Sequence, residues 1–134
     1  MAIQAFRRKA VGEDTELSLN SFHPMPEELE RTVSPSSKRN RTLIRKYGAD
    51  NWYDWCIGNW GTKWDVQAVL EDEGADYLEY SFQSAWSPPV EWLKKLAQDY
   101  PRLLFRLKYE EDGVGFVGVA TAKDGTVIDK CVNY

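Results

Sequence analysis

The spacing of apolar positions changes several times along the chain, and each change predicts an element. Ile3, Phe6 and Ala10 recur at helical spacing with Arg7, Arg8 and Lys9 turned outward, which predicts a short amphipathic helix over 3–11, broken by Gly12. Leu17-Ser-Leu-Asn-Ser-Phe22 alternates apolar and polar residues and reads as a strand. His23-Pro-Met-Pro-Glu-Glu-Leu29 then reads as a turn into a short helix with Pro26 at its first position. A further helix is expected up to Tyr47, with Ser36 or Ser37 as its N-cap and Leu43, Ile44 and Tyr47 as its inner stripe. Gly48 stands where a left-handed residue ends such a helix.

From Lys63 the period becomes two. Trp64, Val66, Ala68 and Leu70 share one face of a strand, Glu71–Asp76 forms an acidic turn, and Leu78, Tyr80, Phe82, Ser84 and Trp86 return as the second strand of a hairpin. Ser87-Pro-Pro opens a helix with core positions Leu93, Leu96, Ala97 and Tyr100 and a surface pair of Glu91 with Lys95. Pro101 ends it. Leu103, Phe105, Leu107 and Tyr109 form another strand, and the turns Asp112-Gly113 and Asp124-Gly125 bracket strands near 115–122 and 126–132.

Over residues 17–109 the order is strand, helix, strand, strand, helix, strand. That is the split βαβ pattern of a ferredoxin-like α+β fold: a mostly antiparallel sheet with helices packed on one face, here with an extra C-terminal hairpin. The 134 residues fit a single domain spanning 1–134. Six Trp, seven Tyr and five Phe give this small chain enough large side chains to fill a core without staples. No apolar run approaches the ~20 residues of a membrane-spanning helix, and the N-terminus lacks the apolar centre of a secretory signal. With only Cys56 and Cys131, a reduced cytoplasmic setting is expected rather than a disulfide scaffold.

Charge refines the picture. Residues 1–48 carry nine Lys/Arg against six Asp/Glu, and residues 49–134 carry eight against fifteen, for a net charge of −4. This excludes a uniformly basic nucleic-acid-binding surface and leaves room for a local basic patch.

Two tryptophan-rich stretches, Lys46-Tyr-Gly-Ala-Asp-Asn-Trp-Tyr-Asp-Trp55 and Asn59-Trp-Gly-Thr-Lys-Trp-Asp65, together with Pro24-Met-Pro-Glu-Glu-Leu29 and Ala85-Trp-Ser-Pro-Pro89, are the most distinctive segments. In these segments the chain resembles the phage- and plasmid-borne YubB-like (Api92-like) proteins. The resemblance implies a ferredoxin-like domain and a mobile-element setting, and it supplies no activity and no catalytic residues. Members of that family usually open with a strand containing Asn-Trp-Cys before the first helix, and this chain starts at about that helix. The resemblance therefore implies an open sheet edge and favours a homodimer or an obligate partner. No iron–sulfur cluster is expected, since clusters typically need four thiolates and the chain has two.

Among the tryptophans, the period of two assigns Trp64 and Trp86 to the core. Trp52, Trp55 and Trp60, with Lys63 among them, are the candidate binding residues of a surface loop. Lys38, Arg41 and Arg45 form a basic helical face, a candidate nucleic-acid contact, although a solvated outer face has the same composition. Val114–Val119 lacks the basic-aromatic signature of an RNA-recognition sheet. His23 is the single histidine and sits at a turn, and no Ser-His-Asp, Cys-His or metal-ligand spacing occurs, so a non-catalytic protein without cofactor or metal is expected. Asp72, Glu73, Asp76, Glu110, Glu111 and Asp112 form two acidic turns that offer a partner surface. The expected function is protein–protein interaction as a phage- or plasmid-type accessory, through a protein partner or a homodimer along a sheet edge, with no membrane role. The alternatives are nucleic-acid binding by the 38–46 helix and acidic inhibition of a host nucleic-acid enzyme.

Overall fold

A computed structural model describes residues 2–34 and 39–134. The N-terminal part is helical: α1 (Ala2–Ala10), α2 (Leu19–Phe22), α3 (Glu27–Glu30), α4 (Arg41–Tyr47) and α5 (Trp52–Asn59). The hairpin β1 (Ala68–Glu73) and β2 (Leu78–Phe82) follows, then α6 (Val90–Asp99), then β3 (Phe105–Glu111), β4 (Phe116–Lys123) and β5 (Thr126–Asn133). From β1 to β3 the order is strand, strand, helix, strand, the closing part of the expected pattern. All pairing is antiparallel, but it is divided between a two-stranded sheet, β1-β2, and a three-stranded sheet, β3-β4-β5. Among the described residues the expected single sheet is thus two.

The second sheet forms as its turns dictate. Lys123 pairs with Thr126 across a two-residue loop, and Asp124 and Gly125 both take positive φ, 54° and 81°, as the tight hairpin turn requires. Gly118, Ala120 and Ala122 are buried along β4, and α6 packs on β4 and β5. The helix turns Trp92, Leu93, Leu96 and Ala97 inward. An aromatic cluster then ties the two ends of the chain together. Phe6 stacks on Phe22 at 4.6 Å and meets Phe105 at 5.7 Å, and Phe22 meets Trp92 edge-on at 6.0 Å.

Several local expectations are overturned. Residues 17–22 do not form a strand. Leu19–Phe22 is a single helical turn that buries Leu19 and Phe22, three positions apart on one face. The cause lies 46 residues away. Asp65 Oδ1 accepts from Leu19 N at 2.7 Å, and Oδ2 accepts from Ser18 Oγ at 2.6 Å and Asn20 N at 3.1 Å, so its carboxylate caps the turn in place of a local side chain. Asp65 Oδ1 also accepts from Val66 N at 2.7 Å, and with its side chain so engaged the strand begins only at Ala68 rather than at Lys63.

Helix α4 is shorter than expected and is capped by Asn40, whose side chain accepts from Leu43 N at 3.1 Å. Ser36, Ser37 and Lys38 lie outside the described residues. Gly48 ends α4 at φ 81°, as expected. Helix α5 was not foreseen. It starts at the cap Asn51, whose side chain accepts from Asp54 N at 2.9 Å, and gives way to Gly61 at φ 86°. On α6 the surface pairs are Lys94 with Glu91 and Lys95 with Asp99, in place of Glu91 with Lys95. No helix among the described residues is long and apolar enough to cross a membrane.

Replacing Asp65 with Ala leaves three backbone N–H groups and the Ser18 hydroxyl without their acceptor. The expected cost is about 3 kcal/mol, since a charged acceptor is lost and half-buried donors are orphaned. Urea unfolding of Asp65→Ala against the parent chain measures it; a cost under about 1 kcal/mol would show that water substitutes for the carboxylate.

Candidate functional site

The tryptophans divide in the opposite sense to their sequence period. Trp55 and Trp60, expected at the surface, are 4% and 2% exposed, whereas Trp64 and Trp86, expected in the core, are 54% and 69% exposed. Trp55 is buried because it lies on the inner face of α5, and it meets Trp60 edge-on at 5.5 Å. Trp60 donates its indole N–H to His23 O at 2.9 Å, and Trp92 donates its own to Leu19 O at 3.0 Å. Neither Trp55 nor Trp60 offers a face to a ligand. Trp52 is half-buried, and its backbone N–H donates to Thr32 Oγ1 at 2.9 Å.

Two loops bring Trp64 and Trp86 together. Thr62, fully buried, donates its hydroxyl to Ala85 O at 2.8 Å, and the Ser87 hydroxyl donates to Gly61 O. Trp92 N–H donates to Trp60 O at 3.2 Å, which fixes the start of α6 to the same loop. Because β2 ends at Phe82, the alternation no longer governs Trp86, which takes φ 68°. A positive φ is rare for a bulky non-glycine residue and marks a backbone held in place by its surroundings.

Lys63 lies between the two exposed indoles, its Nζ 4.1 Å from the Trp64 ring centroid and 3.6 Å from that of Trp86. Such contacts contribute about 0.5–1 kcal/mol each at exposed positions. The three residues form one wall of a cleft of about 490 Å³; Trp52, Tyr53 and Asp54 at the start of α5 line it as well. Trp52 and Tyr53 meet edge-on at 5.8 Å. Among the described residues the cleft therefore combines aromatic faces, one ammonium and one carboxylate. It brings together Trp52 and Lys63 of the expected site and adds Trp64 and Trp86, expected in the core, with Tyr53 and Asp54.

Of the expected basic face, Lys38 lies outside the described residues. Arg41 and Arg45 are exposed on α4, but Lys46 bonds Glu28 at 2.8 Å and so does the Tyr47 hydroxyl. The two acidic turns line a common groove: Asp72, Asp76, Glu79, Glu110 and Glu111 all border it. Many of their neighbours are already engaged, Glu73 with Arg7 and Glu71 with the Ser81 hydroxyl at 2.5 Å. Tyr77 donates to Asp72 at 3.0 Å. Among the described residues no group of three or more His, Cys, Asp or Glu is placed to hold a metal ion. Burial pushes the Cys56 thiol up to about 12, which keeps it protonated and inert; Cys131 is exposed.

Antiparallel sheets packed with helices, and a cleft lined by aromatic rings, define the class: a small α+β domain with exposed indoles. A family model sharpens this. The family described as "Ferredoxin-like domain in Api92-like protein" matches residues 59–133, more than half of the chain, and the chain belongs to it. No curated protein and no solved structure matches. The matched segment contains Lys63, Trp64 and Trp86 but not the α5 side of the cleft.

Two outcomes follow from this placement. Trp60→Ala should cost about 3–5 kcal/mol, whereas Trp64→Ala and Trp86→Ala should each change stability by less than about 1 kcal/mol; denaturant unfolding of the three variants compares them. His23 packs edge-on against Trp55 at 5.2 Å, and burial, with a smaller push from Lys95 opposed by Asp99, lowers its pKa below the usual 6.5. As the single histidine it can be followed by NMR, with an expected midpoint below 6.5. Between the folded and unfolded midpoints the unfolded chain binds more protons. This contribution to stability is therefore present above 6.5 and lost as pH falls toward the folded midpoint.

Proposed function

We propose that this Api92-like protein is a non-catalytic binding module that recognises a protein partner through the Trp64–Lys63–Trp86 surface. Its setting in this reading is the reducing cytoplasm, as a phage- or plasmid-type accessory. The observation that carries the reading is the exposure of two indoles clasping their own lysine beside Trp52 and Tyr53. Tryptophan and tyrosine dominate the energetic centres of protein interfaces, and single-residue losses there commonly exceed about 2 kcal/mol. Ordering of the surface before binding also lowers the entropic cost of association. Among the described residues the cleft holds one carboxylate and one ammonium, the latter between rings, an arrangement that favours contact over proton transfer.

The charge pattern favours protein over nucleic acid. A single-stranded nucleic acid needs a basic track beside its stacking rings. Among the described residues, the one ammonium lining the cleft is held by the rings, Asp54 shares the cleft, and the chain is acidic overall. Arg41 and Arg45 supply, among the described residues, a short basic face on α4, with Arg39 exposed just before it. As an inhibitor of a nucleic-acid enzyme the chain would present its acidic groove, where Asp72, Glu110 and Glu111 already accept local hydrogen bonds.

Tagged parent chain should recover a stoichiometric partner from host lysate. Trp64→Ala combined with Trp86→Ala should weaken that recovery at least about tenfold while circular dichroism and unfolding midpoint stay the same. Equal recovery by both proteins refutes the surface. Saturable quenching of tryptophan emission by a short single-stranded oligonucleotide at about 50 mM salt refutes the choice of partner class.

A further inference from the structure

A surface lysine ordinarily lays its stem on the protein and keeps its ammonium in water. Lys63 is instead half-buried, its Nζ 3.6 Å from the Trp86 ring centroid and 4.1 Å from that of Trp64, while both indoles are more than half exposed. The contact with Trp64 joins sequence neighbours, but the contact with Trp86 crosses to a second loop. Trp86 reaches its place at φ 68°, held there by the bonds of Ala85 to Thr62 and of Ser87 to Gly61. Backbone strain of this kind gathers at ligand clamps, where the surroundings over-determine the conformation. The backbone thus fixes the two rings, and a cation fills the space between them.

We propose that Trp64 and Trp86 form a cation site, filled in the free chain by its own Lys63, and that an arginine side chain of the partner protein displaces Lys63 on binding. The inference deepens the reading of the tryptophan surface as a protein-binding site and rests on it. Two ring faces at these distances suit a flat cation. Guanidinium stacks on aromatic faces, whereas ammonium sits against them as a compact point charge. Guanidinium is also the more weakly hydrated of the two. Exchange therefore places between the rings the ion that loses less on drying, and it returns the strongly hydrated Lys63 ammonium to water. Arginine is also among the residues enriched at the energetic centres of interfaces.

The charge around the rings selects the same occupant. Asp54, exposed near the start of α5, lines this cleft, and its Oδ2 accepts from Asn51 Nδ2 at 3.0 Å. Lys63 is the one base among the described residues of the lining, so its departure leaves Asp54 as the charge that an incoming group meets. A cation gains from both the rings and this carboxylate. A neutral side chain gains only contact with the rings, and an acidic one meets repulsion. Lys63 then has a definite role: it competes with the partner's arginine and sets how tightly the surface binds.

The test is an NMR titration of the full isotope-labelled chain with Nα-acetyl-arginine amide, compared with the citrulline amide, its uncharged isostere. The indole N–H signals of Trp64 and Trp86 should shift saturably with arginine and not with citrulline. Lys63→Ala should bind arginine amide at least about fivefold more tightly than the parent chain, because the internal competitor is gone. Arg102→Ala makes the same change of charge at another exposed position and should leave the affinity within about twofold. Asp54→Asn should weaken binding about threefold or more with unchanged circular dichroism. Equal shifts with citrulline, no shift at about 100 mM arginine amide, unchanged affinity in Asp54→Asn, or Lys63→Ala binding no more tightly than Arg102→Ala would each overturn the proposal. The amide stands in for the partner, so an empty pull-down does not bear on this outcome. A flat titration, in turn, overturns the arginine site and leaves the tryptophan surface standing.

Discussion

The Asp65 carboxylate accepts four hydrogen bonds, two on each oxygen, and the position of α2 depends on them. Three of the donors open that one-turn helix, which is too short to form on its own propensity. Tryptophan holds it as well: Trp60 bonds the carbonyl of His23 at its far end and Trp92 that of Leu19 in its first residue. The turn is thus gripped at its start by a charge and along its length by two indoles. Through this grip Leu19 and Phe22 enter the core, and Phe22 joins the cluster with Phe6 and Trp92.

The same anchor explains how a surface forms from residues whose neighbours are buried. With Trp60 fixed from below and Asp65 from above, the four residues between them have little freedom. Gly61 takes a positive φ, and a Cβ there would sit 3.3 Å from Pro88 O and from the backbone nitrogens of Val90 and Glu91. The loop can lie against the start of α6 only because no side chain intervenes. Thr62 turns inward to Ala85, so Lys63 and Trp64 turn outward. Ala85 and Ser87 are tied to this loop from the other side, and Trp86 between them is turned outward by the same ties.

This geometry marks where sequence reasoning held and where it failed. The C-terminal strands, the Asp124-Gly125 turn, the face of α6 and Gly48 as a helix stop follow local rules, because each is decided by residues within a few positions; after Asp112-Gly113 it is Gly115, not Gly113, that takes positive φ. The strand expected at 17–22 failed because the decisive group, Asp65, is distant in sequence. Trp64 and Trp86 failed for a related reason: a period of two was extended beyond Ala68 and Phe82, where the strands end. Helix α5 was legible and passed over. Asn51 with Asp54 three residues on, and Gly61 after the last turn, are start and stop signals on the page. Reading them would have put Trp55 on a helix face and left Lys63 and Trp64 beyond its end. The clasp of Lys63 by two rings had no sequence signal, since it requires two loops to meet.

The boundary of the family match gives this dependence its sharpest form. Residues 59–133 hold Asp65, Trp60 and Trp92, but most of what they bond lies before residue 59. Of the four donors to Asp65, only Val66 is inside the matched segment. The carbonyls that accept from both indoles belong to α2 and its cap. Buried polar groups are costly when unpaired, so the matched segment is completed by the helical residues that precede it. α1 and α2 are therefore integral to the domain, and α5 supplies the other side of the tryptophan cleft. The fold and the candidate site share this requirement: neither exists without contacts that cross the start of the matched segment.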